Sequence, residues 1–140
     1  IINNKDWIKR LSDESKKNLI SYLEKNPTAP IKKYETALRN KTFNVFYNAP
    51  CLVYILGHKN IQSVFVDCAL AASYFMFSAT ARGLGTCWIA LGSHIKDPGL
   101  LEAIAMPEDG RIIAPNIVGY SKAIPEIPKR NEPQILKVIS

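Results

Sequence analysis

Residues 64–81 constrain this chain more than any other stretch, because eighteen consecutive positions carry a single charge, Asp67. At about 1.5 Å of rise per residue, a helix of that length could cross a membrane. Asp67, Ser73, Ser78 and Thr80 would be costly in lipid, and no basic flanks set an orientation. The reading is therefore a central helix over residues 63–82, apolar on all sides and surrounded by protein. Its small residues, Ala69, Ala71, Ala72, Ser73, Ala79 and Ala81, permit close helix approach. A chain of 140 residues, 47% apolar and 21% charged, is expected to form one domain, and full cover for such a helix then calls for a second subunit.

Around this helix the periodicity sets out the other elements. Trp7, Ile8, Leu11, Leu19, Ile20, Tyr22 and Leu23 recur at spacings of three and four, which predicts helix within residues 5–25. Ser12, followed by Asp13 and Glu14, has the character of a helix start, and Asn26-Pro27 of a stop. Residues 27–48 have few bulky apolar groups before Phe43, Val45 and Phe46, and are expected to form an excursion or lid. Residues 51–56 and 86–91 are short continuous apolar runs closed by Gly57 and Gly92, each read as a buried strand. Asp97-Pro98 opens a short helix, and residues 112–118 form a third strand, with Pro115 placing it at an edge or at a bulge. Residues 121–134, stiffened by Pro125, Pro128 and Pro133, are expected to be extended. Residues 135–139 then offer a last apolar segment suited to a sheet, of this subunit or of another.

Charge and cysteine usage exclude more than they assign. The net charge of +6 comes wholly from residues 1–62, with eleven basic and five acidic groups, whereas residues 63–140 hold seven of each. The acids interleave with the lysines, as on solvated helix faces, and no nucleic-acid module or aromatic interleaving accompanies them. Cys51, Cys68 and Cys87 match no zinc or redox spacing and are expected to be buried, reduced thiols of a cytoplasmic protein. No phosphate-binding loop, metalloprotease helix, serine elbow or CxxC pair is present. His58 and His94 neighbour no plausible nucleophile. Gly83-x-Gly85 follows a helix and precedes a strand, the reverse of a dinucleotide fingerprint, so it reads first as a helix stop. Two features remain as candidates for a ligand. The backbone of Trp88, Ile89, Ala90 and Leu91 could address a flat ligand through its amides. Lys129 and Arg130, held between Pro128 and Pro133, suit a phosphate, one as a point charge and the other as a fork.

These residues, taken in order, resemble the FMN-dependent nitroreductase family. The resemblance rests on Asn48-Ala-Pro-Cys-Leu-Val-Tyr-Ile, on Asp67-Cys-Ala-Leu-Ala-Ala, and on Ala81-Arg-Gly-Leu-Gly-Thr-Cys-Trp-Ile-Ala. Ile117-Val-Gly-Tyr120 and the late Pro-Lys-Arg complete it. It implies an α+β three-layer sandwich, a mixed or antiparallel sheet flanked by helices, in an intertwined homodimer with FMN at the subunit interface. It implies further that the Trp88, Ile89, Ala90 and Leu91 backbone runs along the isoalloxazine, with the Leu91 amide or a neighbour near N5. Lys129 and Arg130 would complete the phosphate site, and residues 121–140 would reach the partner subunit. Many relatives carry an acidic residue and a glycine where Ala90 and Leu91 stand, which alters the usual acceptor pocket but leaves a backbone donor. Family members also have an N-terminal segment gripping the phosphate and ribityl chain, so residues 1–140 are expected to be a single, N-terminally incomplete domain.

The implied function is an FMN-dependent oxidoreductase, passing electrons from NAD(P)H or a reduced carrier protein to a nitroaromatic, quinone or similar small acceptor. The flavin would carry the chemistry, so no side chain is required as a general acid or base and no metal is called for. Tyr47, Tyr54 and Phe43 could line the acceptor pocket or simply pack. The alternative is a flavin carrier or sensor without turnover on the same scaffold. A nucleic-acid or membrane partner is not expected.

Overall fold

The computed structural model describes residues 1–123 and 126–139. Helix α1, Lys5–Lys25, begins about two turns before Ser12, because the Asn4 side chain caps it by accepting from the Asp6 and Trp7 amides at 3.0 and 3.1 Å. Ser12 is thus a mid-helix residue and not a start. Its hydroxyl is fully buried and accepts the Val45 amide at 3.0 Å. Ile8, Leu11, Leu19 and Leu23 form the buried stripe of α1, as their spacing predicts, and Asn26 closes the helix.

Residues 27–48 are not a loose excursion. A 3-10 helix over Pro30–Tyr34 leads into α2, Glu35–Arg39, whose Leu38 is buried with Val45 and Phe46 in the main core. The Lys16 ammonium, itself buried, donates to the Asn40 and Phe43 carbonyls at 2.8 Å each and ties this segment to α1.

The sheet has three strands in the order β1, Cys51–His58; β3, Gly110–Gly119; β2, Gly85–Trp88; all neighbours are antiparallel. Pro115 lies in the middle strand, which corrects the edge assignment. The bulge expectation holds nearby, since Ile55 pairs with Ala114 while Leu56 pairs with Ile112, leaving Ile113 as the extra residue. Consecutive residues of a strand alternate between faces, and the bulge shifts the phase, since Ile117 and Ile112 share a face. Ile112 joins the α1 side, and Ile113 packs with Val64 and Cys68. Ile2 makes an isolated bridge to Leu52 with two 2.8 Å hydrogen bonds.

Helix α3, Val64–Thr80, lies on the face of the sheet opposite α1. Gly57 of β1 admits it, because a Cβ there would stand 2.1 Å from Val64 Cγ2. Only Val64, Cys68, Ala72 and Ala79 of this helix are buried, while Phe65, Leu70, Tyr74 and Phe77 are exposed. Within the chain, then, α3 is covered on one side and not all round. The layers are α1 with α2, the sheet, and α3, an α+β arrangement. Helix α4, Pro98–Ala103, starts at Asp97, whose carboxylate accepts the Leu100 amide. Among the described residues no helix is long and apolar enough to cross a membrane. The described part of the tail after Tyr120 is exposed and carries no strand, so residues 135–139 do not add to this sheet. Pro125 lies outside the described residues.

Candidate functional site

The strand predicted over residues 86–91 stops at Trp88. Ile89 then turns inward, its side chain buried and its amide donating to the Pro115 carbonyl at 2.8 Å, and Ala90–Ser93 coil into a 3-10 helix. Gly92 is required at this turn, since a Cβ would sit 2.2 Å from Phe46 Cε1. Phe46, from the 40–48 segment, therefore fixes how closely the two loops approach. The exit from β2 leaves Trp88 and Ala90 exposed and Leu91 half-buried, so the strip predicted to meet a ligand is accessible.

The backbone of this strip is held from behind. The Ile89 carbonyl accepts from the Gly92 amide at 2.9 Å, and the Ala90 carbonyl from Ser93 Oγ at 3.0 Å. The Leu91 carbonyl accepts from Ser15 Oγ on α1, and the Gly92 carbonyl from the Tyr54 hydroxyl on β1 at 3.1 Å. Four successive carbonyls are thus satisfied. Among the described residues, the Ala90 and Leu91 amides donate to no other group. They are the orphan donors that any helix leaves at its first turn.

Further along, Asn18 Nδ2 donates to the His94 carbonyl at 2.8 Å, and the Asp97 amide donates to Glu14 Oε1 at 3.1 Å. Burial drives the Tyr54 hydroxyl pKa well above its ordinary value, so it remains protonated and donating. Burial likewise lowers the His94 pKa; the Leu91 carbonyl beside the ring opposes this, and Lys96 adds to it.

The sequence singles out this strip as a candidate but does not show what fixes it. Ser12, Ser15 and Lys16 belong to the buried side of α1 together with Leu11 and Leu19, and polar groups there signal long-range partners. Tyr54, considered for an acceptor pocket, packs edge-on to Phe46 at 6.4 Å and bonds the loop. Phe43 and Tyr47 meet edge-on at 5.9 Å, and Tyr47 is exposed beside a cleft of about 380 Å³ that Pro50, Cys87 and Lys122 also line. Tyr47 and Asn48 both adopt positive φ, 53° and 55°, at the turn leading into β1.

Lys129 and Arg130 are exposed on the tail, and no hydrogen bond or ion pair joins them to residues 88–91 among the described residues. The cysteines are all free, but only Cys68 is buried; Cys51 is half-buried and Cys87 exposed, which corrects the expectation that all three are buried. His58 faces Asp109 at 3.8 Å, away from the strip.

A two-sided helix–sheet–helix layer with an amide-bearing loop after a short edge strand defines a class of protein, and comparison with known proteins identifies it. The family model described as the nitroreductase family matches residues 1–120, and the chain belongs to that family. Its fold is similar to that of a nitroreductase with bound FMN from Bacteroides fragilis, at TM-score 0.79 and 20% identity over 98% of this chain and 73% of that one. A nitroreductase with bound FMN from Desulfitobacterium hafniense is similar at TM-score 0.73 and 14% identity, over 97% of this chain and 73% of the other. An iodotyrosine deiodinase bound to FMN and 3-iodo-L-tyrosine is similar at TM-score 0.66 and 16% identity, over 99% and 74% respectively. No curated protein sequence matches the chain.

Proposed function

We propose that this chain holds FMN along residues 88–91 and serves as an FMN-dependent oxidoreductase, taking electrons from NAD(P)H or a reduced carrier protein and passing them to a small acceptor such as a nitroaromatic or quinone. The observation that carries the reading is the pair of amides at Ala90 and Leu91 that donate to no other group among the described residues, next to exposed Trp88 on a backbone whose Ile89 to Gly92 carbonyls are all engaged. Such donors fit an acceptor-rich planar ring. Membership of the family and the FMN in the similar structures support the same ligand.

When bound, FMN supplies the hydride and electron transfer. The Ala90 and Leu91 amides orient the ring edge and favour negative charge on it. Trp88 would flank the ring, Ile89 anchors the strip in the core, and Lys129 and Arg130 would hold the phosphate once the tail is in place. A second copy of the chain covers the exposed face of α3, where Phe65, Tyr74 and Phe77 stand, and the tail of each copy reaches the other. A cytoplasmic setting, with the cysteines reduced, belongs to this reading. The deiodinase among the similar structures shows that the fold accommodates other acceptors.

The test is the visible spectrum of the full-length protein titrated with FMN, followed by anaerobic addition of NADH and of NADPH. A bound flavin that bleaches with a donor is expected. Flavin that binds but is reduced by no donor, including dithionite-reduced ferredoxin, would make the protein a carrier or sensor. A protein that fails to bind FMN would overturn the proposal.

A further inference from the structure

The four carbonyls behind the free amides are not equivalent, because each belongs to a peptide group whose N–H points elsewhere. A hydrogen bond accepted by a peptide carbonyl polarises the N–H of the same peptide and strengthens it as a donor. Two chains of such bonds end on the free amides. In the first, Ser15 Oγ donates to the Leu91 carbonyl at 2.5 Å, the N–H of that peptide is Gly92's, and it donates to the Ile89 carbonyl at 2.9 Å. The N–H of the Ile89 peptide is that of Ala90, which is free. In the second, Ser93 Oγ donates to the Ala90 carbonyl at 3.0 Å, and the N–H of that peptide is that of Leu91, also free. Each donor amide therefore has one serine hydroxyl upstream of it. Ser15 acts through two peptides and Ser93 through one.

The two serines also differ in setting. Ser15 is wholly buried on α1, so its hydroxyl has no water to bond and is held on the Leu91 carbonyl. Ser93 is only half-buried, and its hydroxyl also stands 3.4 Å from His94 Nδ1. Both hydroxyls bond carbonyls of the strip, so the effect of each on the free amides passes through the backbone.

We propose that Ser15 and Ser93 are positioning residues which aim and polarise the Ala90 and Leu91 amides, and so set how much more tightly the site holds reduced than oxidised FMN. The inference rests on the functional reading above, in that FMN is the ligand. Measured on the full-length protein, the dissociation constant of oxidised FMN and the midpoint potential of bound FMN give the relative affinity for the two redox forms. Ser15→Ala and Ser93→Ala should each lower the reduced-over-oxidised affinity ratio by about threefold to tenfold, a tenfold loss being about 30 mV for a two-electron couple. Ser93→Thr, which keeps the hydroxyl, should restore the potential. Asn18→Ala, which loosens the same loop at His94 but lies in neither chain of bonds, should leave the potential unchanged whatever it does to melting temperature.

Ser93→Ala keeps the test open if Ser15→Ala fails to fold, since Ser93 lies outside the packed core. Potentials unchanged in the folded serine variants, or lowered equally by Asn18→Ala, would overturn the inference while leaving FMN binding intact. Failure of the unsubstituted protein to bind FMN would overturn both readings, and the two failures are distinguished by the first titration.

Discussion

The two faces of the sheet are finished to different degrees. On the α1 side, eleven buried apolar residues from α1, α2, α4, the sheet and the loops form one cluster, and buried polar groups at Ser12, Ser15 and Lys16 are all hydrogen-bonded. On the α3 side the buried cluster is Val64, Cys68 and Ile113, and large apolar side chains look outward. Apolar content alone therefore does not make a core. The more hydrophobic of the two helices is the less buried, because a helix that is apolar all round can present only one stripe to a single sheet.

The comparison can be broken most forcefully on the α1 side. Leu11→Ala opens a cavity at a fully buried position and should destabilise the fold by about 2–5 kcal/mol, measured by chemical denaturation. Gly92→Ala forces a methyl group against Phe46 and should cost about 1–3 kcal/mol, with weakened FMN binding as the loops are pushed apart. On the α3 side, Tyr74→Glu should change the stability of the dilute monomer by no more than about 0.5 kcal/mol, since Tyr74 is exposed. The same substitution should abolish self-association in sedimentation velocity; unaltered association would remove this face from the proposed dimer.

The smallest expected effect is electrostatic. Burial keeps His94 neutral below its ordinary pKa of 6.5, so below about that pH the unfolded chain binds a proton that the folded chain refuses. Stability should fall as the pH is lowered from about 6.5 towards the depressed folded value. His94→Gln should flatten that slope in urea titrations taken at stepped pH.

Local pattern carried most of the fold. The spacing of Ile8, Leu11, Leu19 and Leu23, the apolar runs closed by Gly57 and Gly92, and Asp97-Pro98 each correspond to an element in the structure. The failures came where a distant partner overrides a local signal. Ser12 looks like a cap until Val45, 33 residues away, occupies its hydroxyl. Pro115 looks like an edge residue, yet a middle strand tolerates it next to a bulge. Trp88 looks like strand interior, but the inward turn of Ile89 ends β2 there and creates the free amides. The strip could be picked out from its residues, whereas the groups that hold its carbonyls, Tyr54 and Ser15, act from elements 38 and 76 positions away. Lys129 and Arg130 stayed apart from the strip because nothing within the described residues ties the tail down.

The clamp on the loop has a consequence for the order in which the molecule is made. Ser15 and Leu91 are 76 positions apart, as are Asn18 and His94, and Glu14 and Asp97 are 83 apart. On the ribosome, α1 is therefore complete long before the loop it holds has been synthesised. The buried hydroxyl of Ser15 must wait on water until those long loops close, an entropic cost borne late. The amides at Ala90 and Leu91 thus gain their direction only near the end of folding, so a chain released early would have a sound first helix and no aimed donors.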